Sequence, residues 1–185
     1  MITRFGDYNE LTILSSNEKK IREYNRFGLN VKAEKGLDLP EVDGDINDVI
    51  IYKSLMAGTN KIVEDTVLEV DGVEVIDIRW KINQMNKNAS ARWIVSLGLN
   101  DGEYIKVYRG IIKGQLVKTE NAAGFGFDEY FIPEGSNQTL GELDKKGLKD
   151  NFSARKIACQ KLIEDKPLFK KKISEIPEWT GSYQH

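Results

Sequence analysis

Apolar and polar positions along the chain group into short runs with changing periods. "LTILSS" (11–16) is a brief continuous apolar run of the length of a buried strand. "NEKKIREYNRFG" follows with Ile21, Tyr24 and Phe27 at helical spacing, and Gly28 stops it. "LNVKAEK" predicts a second strand and "LPEVDGD" a loop. "INDVIIYKSLMAGTNK" has helical spacing, with Val49, Ile50, Tyr52, Lys53 and Met56 on adjacent faces and an end at Gly58. "KIVEDTVLEV" starts apolar, breaks at Glu64-Asp65-Thr66 and resumes, predicting a strand that delivers two acids at its end. Asp71-Gly72, between alternating apolar positions, is a two-residue hairpin signal. "RWKINQMNKN" reads as a short helix or loop. "ARWIVSLGL", the turn "NDG" and "EYIKVYRGIIKGQLV" then form the clearest antiparallel pair. In "TLGE" (139–142) a Thr is followed three residues later by a Glu, the reciprocal capping pattern at a helix start. "DNFSARKIACQKLIED" places Phe152, Ile157, Ala158 and Leu162 on nearly one helical face.

Strands mixed with helices, with no repeat and no linker, predict one α/β domain. It is expected to span residues 1–165. The tail 166–185, Lys-rich and then aromatic with Trp179 and Tyr183, is an extension that either packs on the domain or stays loose.

Composition narrows the chemistry. The 185 residues are 40% hydrophobic and 30% charged with a net charge of −2, so no basic field argues for nucleic acid or an anionic membrane. The N-terminus has no apolar run of signal-peptide length, and nothing approaches a membrane span, which predicts a soluble cytoplasmic protein. The only cysteine, Cys159, rules out an internal disulfide and reads as a buried structural thiol. The only histidine is His185, the last residue, so catalysis by imidazole triads or His-bound metals is not expected. Carboxylates, lysines and a hard metal ion are left.

Three constellations carry that chemistry. In "SSNEKK" (15–20) a strand end meets a helix start, and Ser15, Asn17 and Lys20 read either as an ordinary cap with solvated lysines or as an anion site. Glu41, Glu64 and Asp65 read either as solvated acids or as converging ligands of Mg²⁺, which prefers oxygen donors. In "GFGFDEYFIPEG" (124–135), Gly124 and Gly126 let the backbone bend around Phe125 and Phe127. Asp128 could then serve a flat ligand held by the rings, or the stretch is a strand edge with core aromatics. Lys149, Ser153 and Arg155 read either as surface cap chemistry or as further ligand contacts.

In order, "SSNEKK", "DLPEVDGD", "VEDTVLEV", "VYRGIIKG", "GFGFDEYFIPEGSNQTLGEL" and "KDNFSARKIA" resemble the motifs of the Ham1 family of inosine triphosphate pyrophosphatases over residues 11 to about 163. The resemblance implies an ITPase-like α/β fold: an elongated mixed sheet flanked by helices, in two lobes with a central nucleotide cleft. It implies a homodimer that hydrolyses deaminated purine nucleoside triphosphates to monophosphate and pyrophosphate, with Mg²⁺ and with Mn²⁺ as a substitute. By match, Ser15, Asn17, Lys20 and Lys53 hold the triphosphate, and Glu41 and Asp65 bind the metal. Asp65 also orients or deprotonates the attacking water, supported by Glu64. Phe125 stacks on the base, Gly126, Phe127 and Asp128 shape its pocket, and Lys149, Ser153 and Arg155 contact its edge. The chain departs from the family where Glu129 replaces a Pro, Ala154 a His and Asp150 an Asn, and where "VDGVEVIDIRW" replaces a G-x-P-G stretch. Alternatives are the same reaction on a modified or standard dNTP, and a nucleotide-binding protein with a weakened site.

Overall fold

The computed structural model describes residues 11–35, 38–75, 78, 85, 88–118 and 126–184. Among the described residues, eight strands lie in one mixed sheet: β1 (Thr12–Leu14), β2 (Lys32–Glu34), β3 (Lys61–Val70), β4 (Val73–Glu74), β5 (Ser90–Asn100), β6 (Tyr104–Leu116), β7 (Phe131–Pro133) and β8 (Phe169–Lys172). The order is β2-β1-β3-β5-β6-β7, with β4 paired to β3 and β8 to β6. The described helices are α1 (Glu18–Arg26), α2 (Ile46–Ala57), α3 (Leu140–Lys145) and α4 (Ala154–Ile163). By its internal contacts the chain divides into two compact units, one of residues 1–65, 96–109 and 155–185 and the other of 66–95 and 110–154.

In the first unit β1 runs parallel to both neighbours, pairing Thr12 with Lys32 of β2 and with Lys61 of β3. The chain leaves β1 through Ser15 and Ser16, and the Asn17 side chain caps α1 by accepting from the Lys20 amide at 3.1 Å. Helix α2 starts on a reciprocal box in which Asp45 accepts from the Asp48 amide and Asp48 from the Asp45 amide. It stops at Gly58, whose φ of 93° suits a residue without Cβ. Its Ile50 and Ile51 pack with Val63, Ile105 and Val107 into a core to which Leu14, Leu39, Phe169 and Ile176 are added. The tail after Lys166 packs here: β8 pairs antiparallel with β6, Lys172 opposite Tyr104 and Phe169 opposite Val107.

The second unit contains the Asp71-Gly72 hairpin, with Val70 opposite Val73. It also contains the β6–β7 pair, Gly114 opposite Pro133 and Leu116 opposite Phe131. A Cβ on Gly114 would lie 2.2 Å from the Ile132 carbonyl oxygen, so only glycine permits that approach. Thr139 and Glu142 cap α3 as their spacing predicts.

One reading of the strands needs correction. The acids of "VEDT" do not end a strand: β3 runs unbroken through Glu64, Asp65 and Thr66. Its apolar residues on either side stay buried, and Glu64 is neutralised by cations from other elements, which lets the strand continue through it. Most of "RWKINQMNKN", together with Gly124, Phe125 and His185, lies outside the described residues.

Candidate active site

A cavity of about 350 Å³ opens in the first unit where β1 passes into α1. Ser15, Asn17, Lys20, Glu41, Lys53 and Glu64 all line it, joined by Tyr24, Asp38 and Leu39. Ser15 Oγ accepts from the Asn17 amide at 3.2 Å, which holds the turn closed. Lys20 comes from the first turn of α1, where the positive end of the helix dipole adds to its own charge. Its Nζ lies 2.9 Å from Glu64 Oε2. Lys53, from α2, donates to Glu41 Oε1 at 3.2 Å and to the Glu64 main-chain oxygen at 2.9 Å. Two ammonium groups therefore face one space from different elements, each only partly withdrawn from water.

Behind this rim lies a buried charge network. Arg155, from α4, grips Glu64 with two prongs, Nε to Oε1 at 2.6 Å and Nη2 to Oε2 at 3.1 Å. Its Nη1 reaches Glu23 Oε2 at 3.1 Å. The Tyr24 hydroxyl also donates to Glu64 Oε1. Burial by itself pushes the Glu64 carboxyl up, but Arg155, then Lys20, and the hydrogen bonds from Arg155 and Tyr24 outweigh it, holding the carboxyl well below the usual range. Burial and the Glu64 charge push the Tyr24 phenol up. Burial first, and then the same carboxylate, raise the Cys159 thiol, so Cys159 is the structural thiol that its helical setting predicts.

A second cluster belongs to the second unit alone. Lys149 Nζ pairs with Asp128 Oδ2 at 2.6 Å, both side chains almost fully enclosed, and the ammonium sits 5.6 Å from the Trp93 ring centre. Phe127 packs edge-on against Trp93 at 6.0 Å and Phe131 at 5.9 Å. Gly126 takes φ 58° at the turn before them. Glu129 is buried with its carboxylate against Gly141 in the first turn of α3, where a Cβ would come within 2.3 Å of it. The positive end of that helix favours a carboxylate there, which explains how a Glu fits in place of a Pro.

The model for the Ham1 family matches residues 11–165. The chain belongs to the Ham1 family. This Ham1 chain is 30% identical over 181 residues to a Scheffersomyces stipitis protein named inosine triphosphate pyrophosphatase, covering 85% of the chain and 92% of that protein. A Korarchaeum cryptofilum protein named dITP/XTP pyrophosphatase is 30% identical over 171 residues, covering 81% and 92%. The solved Ham1 proteins of Coxiella burnetii and Staphylococcus aureus superpose with TM-scores of 0.64 and 0.61 at 17% and 22% identity. Each comparison covers 84% of this chain and 96% of theirs, and supports the mixed open sheet with flanking helices.

Placed on this Ham1 fold, most of the expected residues that are described gather at two places. Ser15, Asn17, Lys20, Glu41, Lys53 and Glu64 meet at one cavity, and Phe127, Asp128 and Lys149 meet at one cluster. Asp65 follows Glu64 on β3 and is not among the residues that line the cavity, although Val63 and Glu64 before it are. Arg155 does not offer its guanidinium at a surface: it is buried on Glu64 and Glu23. Lys149 and Ser153 are likewise buried, so the reading of all three as surface cap chemistry is overturned. Tyr24 and Glu23 are functional neighbours that the sequence reading passed over. Their signal was present, since they stand four and three residues after Lys20 on the same helix face.

A divalent cation can be tested against these donors. Among the described residues no group of three or more Asp, Glu, His or Cys forms a metal cage. Mg²⁺ bound with a phosphate substrate needs only one or two carboxylates, the phosphates and water supplying the rest. Glu41, which gives one oxygen to Lys53, and Asp38 on the cavity wall meet that requirement, whereas both oxygens of Glu64 are held by Arg155 and Lys20.

Proposed function

We propose that this protein is a Mg²⁺-dependent pyrophosphohydrolase of deaminated purine nucleoside triphosphates, ITP, dITP and XTP, that clears them from the nucleotide pool. The observation that carries the reading is the cavity into which Lys20 and Lys53 project from two helices beside the carboxylates of Glu41 and Asp38. Such a wall matches a polyanion delivered with a divalent cation, and the relatives named above supply the class of polyanion.

In this reading Ser15, Asn17, Lys20 and Lys53 bind the phosphates. Glu41 would hold the metal, with Mn²⁺ as a substitute; bound there, the ion would neutralise charge building on the phosphate oxygens. Water attacks the α-phosphorus, the bridging oxygen leaves with pyrophosphate, and the water's proton passes to a carboxylate. Glu64 is a poor acceptor because its cations hold it far too acidic. The family resemblance assigns that role to Asp65, next to Glu64 on β3, while Glu64 keeps Lys20 in place. Phe125, Phe127, Asp128, Lys149 and Ser153 are assigned to the base, while Arg155 acts through Glu64. The family resemblance also supports a homodimer, which light scattering would test.

Pyrophosphate release with Mg²⁺ across ITP, dITP, XTP, the standard nucleotides and base-modified dNTPs tests the reading. Turnover concentrated on the first three supports it. Turnover concentrated on another nucleotide would favour the second reading, the same reaction on a different base. That reading draws support from Ala154, a fully buried methyl group where the family carries an imidazole. The Asp65→Asn variant is expected to lose turnover while keeping its fold by circular dichroism, and an active variant would remove Asp65 from the proton-accepting role.

A further inference from the structure

The last residues of the chain lie beyond the stretch that matches the Ham1 model, and they hold the main chain of the Glu41 loop. After β8 the chain packs Ile173 and Ile176 on the core of the first unit. It then crosses α2, where the Tyr52 hydroxyl donates to the Pro177 oxygen at 2.7 Å and the Tyr52 ring meets Trp179 at 5.2 Å. Trp179 Nε1 donates to the Ser182 oxygen at 2.9 Å, folding the chain over Gly181, whose added Cβ would lie 2.8 Å from the indole. Past this turn Tyr183 bridges Val42 in antiparallel fashion. The Asp43 amide donates to the Ser182 oxygen at 2.9 Å, and the Gln184 amide to the Glu41 oxygen at 2.8 Å. The Gln184 side chain adds a bond to the Val42 oxygen at 3.0 Å, and Ser182 Oγ one to Asp43 Oδ2 at 3.2 Å.

Three consecutive loop residues are thus tied by main-chain or side-chain bonds to one short segment. The first of them, Glu41, lines the cavity and bonds Lys53 of α2, the helix whose preceding residue, Tyr52, anchors the same segment. A free loop would let the Glu41 carboxylate wander, and phosphate binding would bear the cost of ordering it. We propose that Trp179–Gln184 is a strap that positions Glu41 at the cavity, making Trp179, Ser182 and Gln184 positioning residues for the pyrophosphate end of the substrate. The inference rests on the function proposed above.

Two variants at the end of the strap test it, with a pair at Trp179 beside them: the chain ended at Gly181, and Gln184→Pro, which removes the Gln184 amide and its side-chain donor while leaving β8 and the core untouched. Each is compared with wild type by hydrogen exchange at Asp43, by calorimetric affinity for magnesium pyrophosphate, and by KM and kcat on ITP. The expected results for the shortened chain are faster exchange at Asp43 and an affinity lower by about tenfold, at a melting temperature close to wild type. Gln184→Pro is expected to lower affinity in the same direction. Trp179→Phe, which keeps the ring on Tyr52, should hold more affinity than Trp179→Ala. Faster exchange with unchanged affinity and turnover would reduce the segment to packing and overturn the proposal, as would unchanged exchange in the shortened chain. A wild type that binds magnesium pyrophosphate but does not hydrolyse ITP would sink the substrate reading while the affinity still tests the strap. A wild type that does not bind it overturns both.

Discussion

Glu64 and Arg155 show how one residue pair can serve stability and site geometry together. Arg155 spans two carboxylates with one planar fork, and a lysine in its place could satisfy neither geometry. Arg155→Met would leave Glu64 and Glu23 enclosed without their guanidinium, and a loss of about 3–5 kcal/mol is expected in chemical denaturation. Arg155→Lys should recover little of it. The same network sets the acid limit of the protein. The Glu64 carboxyl is held below its ordinary value of 4.5, so its contribution is complete above about that pH. It is lost progressively as the pH falls below that value toward the depressed one, because the unfolded chain then binds the proton first. Stability measured from pH 7 down to pH 2 should therefore fall most steeply below pH 4.5, and Arg155→Met should flatten that part of the curve. None of this shows in "SARKIA", which reads as an exposed helix start because the partners of Arg155 lie 91 and 132 residues away along the chain.

At the scale of elements, starts and stops are local events, and local chemistry predicted them. Asn17 caps α1, Thr139 and Glu142 box α3, and Asp71-Gly72 turns a hairpin, each within four residues of the groups it satisfies. The reading failed at β3, where two acids inside an apolar run look like a strand end when neighbouring cations are out of view. Packing between elements was equally hidden. Gly98 on β5 lies against α2 so closely that a Cβ would fall 2.0 Å from Ser54 Oγ and 3.1 Å from Ile50 Cγ1. Gly98→Ala should push α2 away from the strand and destabilise the protein by about 1–3 kcal/mol, the usual cost of overpacking. Because α2 carries Lys53, phosphate affinity should fall with it, and a melt together with a pyrophosphate titration reads both effects.

For the molecule as a whole, a ligand that binds only the folded state must raise its stability. Magnesium pyrophosphate at about one hundred times its dissociation constant is expected to add about 2.7 kcal/mol, seen as an upward shift in melting temperature. No shift at any concentration would count against the phosphate cavity. The molecule divides into two contact units whose boundaries cut through β3, β5 and β6, a division that no change in composition along the chain announces. The tail offered no pattern to say whether it docked, since Lys170–Lys172 and Trp179 suit an edge strand and a packed ring as well as a solvated end. The sequence by itself determined most of the element types and their ends, the family, and six of the residues that line the cavity, Ser15, Asn17, Lys20, Glu41, Lys53 and Glu64, because caps, hairpin turns, alternation and short motifs are written in neighbouring residues. Only the tertiary structure decided that Glu64 is bound up by Arg155, Lys20 and Tyr24, that Lys149 is buried on Asp128, and that Ser182 and Gln184 hold the loop of Glu41. Those facts depend on which distant groups meet at hydrogen-bonding distance and on how much water they lose in meeting, and neither quantity has a period or a spacing along the chain.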